Sequence, residues 1–182
     1  YEVRAASVDH QIWAELLRDY VQDGSVDYAG FQKMEHKLDR YLAVLGSVNP
    51  DLLDRNTQKA FYINVYNAWT IKLILTAYPD IESIKDIGGF FSSPWKKEIV
   101  RVNGAVLTLD TVEHDILRPR FKDPRIHFAV NCASRGCPPL LSEPYLGRTI
   151  DEQLDRVTRA FINDPSQYRL EGDTLYVSKI FK

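Results

Sequence analysis

The chain has 182 residues, 45% hydrophobic and 26% charged, with a formal net charge of −2. That length suits one domain with a sizeable core, and the near-balanced charge gives no electrostatic footprint for nucleic acid or an anionic membrane. The longest basic run is Lys96-Lys97, and no apolar run is long enough for a membrane span.

Ile12, Trp13, Leu16, Leu17 and Tyr20 recur at helical spacing and predict a first helix over about 7–20. DGSVDY then reads as a turn placed by Gly24. A second helix is expected over about 29–45, with Met34, Leu38, Tyr41, Leu42 and Leu45 on one face and Gly46 as its stop. The stretch from about 57 to 77 is apolar on nearly every side, so it should be a buried helix. Asn64 and Asn67 lie on one face of it, and buried amides need partners. Their simplest role is to tie loop backbone to the core.

GGFFSSPW at 88–95 reads as an irregular loop with three aromatics, bordering a groove or plugging one end of the core. Residues 98–109 read as a hairpin turning at Asn103-Gly104. Asp110 and Glu113 have the spacing of a capping box for a short helix to about Arg118. RIHFAVN at 125–131 reads as a strand, with prolines at 138, 139 and 144 ending regular structure. Thr149 and Glu152 form another capping pair for a helix over 150–162, lined inside by Leu154, Val157 and Phe161. YRLEGDTLYV is a second hairpin, and the final SKIFK reads as the start of a helix. Helices come first and hairpins late, which favours a single α+β domain over 1–182 rather than alternating parallel units. The helices, with the buried one at 57–77 central, should pack on a small antiparallel sheet. That sheet would combine the two hairpins with the 125–131 strand.

The densest chemistry is IHFAVNCASRGCPPL, which holds His127, Cys132 and Cys137, the only two cysteines of the chain. Three readings stand. A metal site needs three or four convergent ligands; His114, His127 and the cysteines could supply them, but no CxxC pair is present. A disulfide would rigidify the Pro-rich turn. A nucleophile needs a neighbouring base and a third group to orient that base. His10 and His36 fit surface or packing positions, which leaves His114 and His127 as bases. Glu113 lies in an apolar stripe with Leu109, Ile116 and Leu117, where a carboxylate needs a donor. It either orients a histidine or pairs with one of Arg118, Arg120, Arg125 and Arg135.

QKAFYINVYNAWTI at 58–71, LTLDTVEHDILR at 107–118 and DPRIHFAVNCASRGCPPL at 123–140 resemble the domain-of-unknown-function 547 family. EPYL at 143–146, TRAFIND at 158–164, VSKIF at 177–181 and WAELLRDYVQDGSVDY at 13–28 extend the resemblance over nearly the whole chain. Members are often exported, which implies a periplasmic or secreted protein, and the family continues past VSKIF, so the domain is expected to be incomplete at its C-terminus. Some members are distantly similar to papain-like and transglutaminase-like thiol hydrolases. The resemblance therefore implies Cys132 as nucleophile, His127 or His114 as base, and Glu113 or an asparagine as orienter. Papain-like sites place the nucleophile at the start of a central helix, and the 57–77 helix has no cysteine. The connectivity would have to be rearranged.

The expected activity is that of a cysteine-dependent hydrolase or acyltransferase on an amide or thioester bond of a peptide or small acyl substrate. Glu113, His114, His127, Asn131 and Cys132 should then line one polar cleft. Asn131 and the backbone N–H groups of 132–136 would serve as oxyanion donors. No cofactor or metal is expected. The competing expectation is a noncatalytic domain with a structural Cys132–Cys137 pair, meeting a protein partner through the 88–95 loop and its tyrosine-rich helices.

Overall fold

The long apolar stretch forms the axis of the molecule. Asp54 caps it by accepting hydrogen bonds from the backbone N–H groups of Asn56 and Thr57, satisfying donors that a helix start leaves open. The resulting helix, Arg55–Leu75 (α4), is buried along its length except at its first turn, Trp69 and Lys72. The computed structural model describes residues 7–88, 93–133 and 136–177.

Three helices that precede α4 in the chain pack together beside it. Helix Gln11–Tyr20 (α1) buries Trp13, Leu16 and Leu17. The expected 29–45 helix is broken at Met34 into Tyr28–Lys33 (α2) and Glu35–Ser47 (α3). Asp27 caps α2 through the Gly30 N–H. Trp13 stacks on Tyr41 with ring planes 4° apart and centroids 5.4 Å apart. His10, just ahead of α1, is buried, and its Nδ1 lies 2.7 Å from the Tyr41 hydroxyl. It is thus a packing histidine. On the other side, helix Ile150–Ile162 (α6) buries Leu154, Val157 and Phe161, the expected stripe. The Thr149 side chain makes no capping bond; its hydroxyl donates to Gln153 Oε1 instead.

The strands correct the expected sheet. Val21–Gln22 (β1) pairs with Ser25–Val26 (β2), Val100–Val102 (β3) with Ala105–Leu107 (β4), and Tyr168–Glu171 (β5) with Thr174–Val177 (β6). These are three separate two-stranded antiparallel ribbons, so the α+β class holds without one shared sheet among the described residues. The β3–β4 turn is at Asn103 and Gly104, both at positive φ, as a tight two-residue hairpin requires. β6 is exposed throughout, with Leu175 59% accessible.

The 125–131 strand is a second correction. Pro124–Phe128 is a 3₁₀ turn, begun by Asp123 accepting from the Arg125 N–H with Pro124 in the first position. Asp followed by Pro is a helix-start signal, and it outweighs the apparent alternation of Ile126, Phe128 and Val130. The loop tip at 89–92 and the SKIFK end at 178–182 lie outside the described residues.

Below this turn a charged network locks the 3₁₀ turn to both flanking helices. Lys59 of α4 reaches Asp123 at 2.9 Å, and Arg125 reaches Asp123, Asp151 and Asp155 at 2.8, 2.7 and 2.6 Å.

Candidate active site

The segment before the candidate site is not an ordinary helix. Asp110 already has helical backbone angles and makes no cap, so the Asp110–Glu113 capping box is absent. Thr108 is the cap instead: its hydroxyl accepts from the Thr111 N–H at 2.9 Å, and its carbonyl accepts from Val112. The chain then widens into a π-helix over Thr111–Leu117 before tightening again at Arg118–Phe121 (α5). π-turns are rare and concentrate at functional sites. This one carries Glu113 and His114 and delivers Arg118 one turn later.

These side chains meet His127 on the 3₁₀ turn. Arg118 Nε and Nη2 donate to His127 Nε2 at 3.3 and 3.2 Å, and Arg118 Nη1 lies 3.0 Å from His114 Nδ1. One guanidinium therefore bridges both histidines. Guanidinium is always a donor, so each imidazole offers a lone pair, and His127 in its neutral form carries its proton on Nδ1. Burial and then the Arg118 charge hold the His127 pKa below the ordinary imidazole value, and Glu113 works against them. His114 and Asp110 are more open, with Nε2 to Oδ1 at 3.9 Å.

Glu113 is half-buried, and the buried Tyr66 phenol of α4 faces it along with Trp95. Burial, followed by the Glu113 carboxylate, raises the Tyr66 pKa well above the ordinary phenol value. The expected arginine partners are spent elsewhere among the described residues. Arg118 bridges the histidines, Arg120 holds Asp51, and Arg125 holds the Asp123 network; Arg135 lies outside the described residues.

The cysteine segment is mounted on the same helix. Asn67, next to Tyr66 and buried, donates from Nδ2 to the Ala129 carbonyl at 3.0 Å and accepts from the Asn131 N–H at 2.9 Å. Asn64 grips Tyr145 in the same way, with Nδ2 to its carbonyl at 2.7 Å and its N–H to Oδ1 at 3.0 Å. Both amides thus tie loop backbone to the core, as expected of them. Adjacent residues of α4 position the two parts: Tyr66 faces Glu113, and Asn67 holds the backbone leading from His127 to Cys132.

Asn131 staples the loop to itself. Its Oδ1 accepts from the Ala133 N–H at 2.9 Å, and its Nδ2 donates to the Pro138 carbonyl at 2.8 Å. Ala133 sits at φ +52°, a conformation a residue with a Cβ seldom adopts. Pro139 packs against the β1–β2 turn: a Cβ on Gly24 would lie 2.1 Å from the Pro139 Cβ. Cys132 and Cys137 are joined in a disulfide, with Cα atoms 6.1 Å apart, within the range such a bond spans. Of the three readings of this segment, the structure contains the disulfide. No group of three or more His, Cys, Asp or Glu among the described residues is arranged to hold a metal ion.

The structure thus brings together Glu113, His114 and His127, and ties Asn131 to the Cys132 loop. Arg118 and Tyr66 are the members the sequence reading missed as site residues. The four-residue spacing of His114 and Arg118 on a helix could have flagged that pair; nothing local to Tyr66 signals its place.

The sequence profile of a family described as "Protein of unknown function, DUF547" matches residues 50–162, well over half of the chain. The matched span contains α4, the π-turn, the cysteine loop and α6. No curated protein and no solved structure matches the chain.

Proposed function

Because the chain belongs to the DUF547 family, whose activity is undefined, we propose that it is a cysteine-dependent hydrolase or acyltransferase acting on an amide or thioester bond, competent once the Cys132–Cys137 bond is reduced. The observation that carries this reading is the convergence of Glu113 and His114 from the π-turn, and of Arg118 just after it, around His127, five residues before Cys132. An imidazole base beside a carboxylate, with a cation at hand for the substrate oxygen, is what a thiol nucleophile needs.

A dithiol reductant supplies two electrons and two protons, opens the disulfide to two thiols and is itself left oxidised. His127 Nε2 then takes the Cys132 proton as Arg118 turns its guanidinium toward the substrate carbonyl oxygen. The thiolate forms a C–S bond to the acyl carbon. The tetrahedral intermediate collapses with cleavage of the C–N or C–S bond, and the imidazolium returns its proton to the leaving amine or thiolate. Water or an acceptor nucleophile, deprotonated by the same imidazole, bonds to the thioester carbon and expels the Cys132 thiolate, releasing the acid or the transferred acyl product. The Glu113 charge favours the imidazolium form of His127. His114 shares Arg118 and is the second candidate base. Asn131, occupied within the loop, acts as a positioning residue. Cys137 is the resolving partner of Cys132. An oxidising compartment, periplasmic or extracellular, keeps the bond closed, and the reductant there would set the active fraction.

The test is to reduce the protein, add p-nitrophenyl acetate, and map the acetyl group by peptide mass. The expected result is an acetyl thioester on Cys132, absent without reductant and absent in Cys132→Ser. Equal acetylation of Cys132 and Cys137, no faster than a free thiol, would contradict it. That result would favour the second reading, a noncatalytic interaction domain in which the disulfide and the Asn131 bonds shape a rigid loop for a protein partner.

A further inference from the structure

Beside the cysteine loop lies a small cavity of about 120 Å³. Tyr28 of α2, Ile74 of α4, and Tyr78, Ile81 and Ile84 beyond it form an apolar lining that closes on Ala133. The Tyr28 and Tyr78 rings face each other at 6.1 Å, and Gln32 Nε2 donates to the Tyr78 carbonyl, so the far wall is held in place. Ala133 is the residue after Cys132, so this wall is one peptide unit, about 3.8 Å of chain, from the proposed nucleophile.

We infer that this cavity is the acyl-side specificity pocket of the enzyme, taking a branched aliphatic group of the size of a valine or leucine side chain attached to the carbonyl that Cys132 attacks. The inference rests on the proposed function. Size selects the occupant. A cavity of about 150 Å³ lined by aliphatic residues holds benzene, and a water molecule takes about 30 Å³. This one, at about 120 Å³, is smaller than that benzene site and larger than a methyl group needs. Its chemistry selects as well: three isoleucines and two tyrosine faces offer a carboxylate nothing to offset its desolvation. Glu82 and Ser83 complete the lining, and the negative Glu82 disfavours an anionic acyl group. The positive φ of Ala133 and its bond to Asn131 fix the backbone between the pocket and the sulfur.

The test uses the reduced full chain with p-nitrophenyl esters of acetate, isovalerate and phenylacetate. Thiolate attack releases p-nitrophenolate and leaves the thioester, and the rate at Cys132 is divided by that of N-acetylcysteine for each ester. The expected normalised preference is isovaleryl over acetyl by about tenfold or more, the scale on which hydrophobic pockets discriminate by a few methylenes. Ile81→Trp, which fills the pocket, should bring that ratio close to one. Tyr28→Ala, which widens it, should raise the phenylacetyl rate relative to isovaleryl. Ratios near one in all three proteins, with Cys132 still acylated faster than the free thiol, would overturn the pocket while leaving the nucleophile standing. Acylation of Cys132 no faster than the free thiol with any ester would overturn both.

Discussion

Replacing Asn67 by alanine removes the clamp between α4 and the cysteine loop. Two backbone groups lose their partners: the Ala129 carbonyl and the Asn131 N–H. Ala129 is 3% exposed, so water cannot substitute at its carbonyl; Asn131 is half-buried and recovers part of its loss. At about 1–3 kcal/mol for each buried group left unpaired, the expected destabilisation is about 3 kcal/mol. That is a large part of the 5–15 kcal/mol by which domains are generally stable. Urea unfolding reads it as a midpoint lowered by about 1–2 M at an ordinary denaturant slope. Asn64→Ala is the matched control, since it removes an equivalent pair of bonds at Tyr145. The two variants should lose similar stability, but only Asn67→Ala should open the Asn131 amide to hydrogen exchange below that variant's global unfolding energy. A loss under about 1 kcal/mol, or the same change in Asn131 protection in both variants, would refute the clamp.

Burial holds the His10 pKa at about 4, against 6.5 for the free side chain. Between those values the unfolded chain binds more protons than the folded one, so stability is full above pH 6.5 and falls as pH drops toward 4, by about 3 kcal/mol. Urea midpoints measured from pH 7 to 4.5 should show that slope, and His10→Gln should flatten most of it; an unchanged slope would remove His10 as its source. Asp123→Asn should cost about 3–5 kcal/mol, because the nearly buried Lys59 ammonium loses its 2.9 Å partner and retains only Asp151 at 3.8 Å. Adding Lys59→Met should recover part of that loss in thermal unfolding, since the stranded charge is then gone, whereas additive losses would argue against an uncompensated lysine.

Periodicity made α4 and α6 legible, because burial on all sides or on one stripe is written in every turn of a helix. The two-residue turn at Asn103-Gly104 was legible for the same local reason. The 3₁₀ turn at Pro124–Phe128 was not, because Ile126, Phe128 and Val130 mimic a strand and only the Asp123-Pro124 start tells against it. The separateness of the three hairpins depends on tertiary packing that no strand pattern encodes. At the site, Glu113, His114 and His127 were marked by composition, and the amide roles of Asn64 and Asn67 by their place in a buried helix. The π-widening over Thr111–Leu117 was hidden, because its residues carry an ordinary helical pattern. That widening is where Arg118 comes to serve two histidines rather than a carboxylate.

The central claim is that the histidine–arginine cluster activates Cys132. It is tested most directly by the pH dependence of iodoacetamide labelling at each cysteine after reduction, in the wild type, His127→Ala and His114→Ala. The account predicts a Cys132 midpoint below the ordinary cysteine value of about 8.5, with Cys137 close to that value. His127→Ala should raise the Cys132 midpoint more than His114→Ala does. Identical profiles near 8.5 for both cysteines in all three proteins would contradict it.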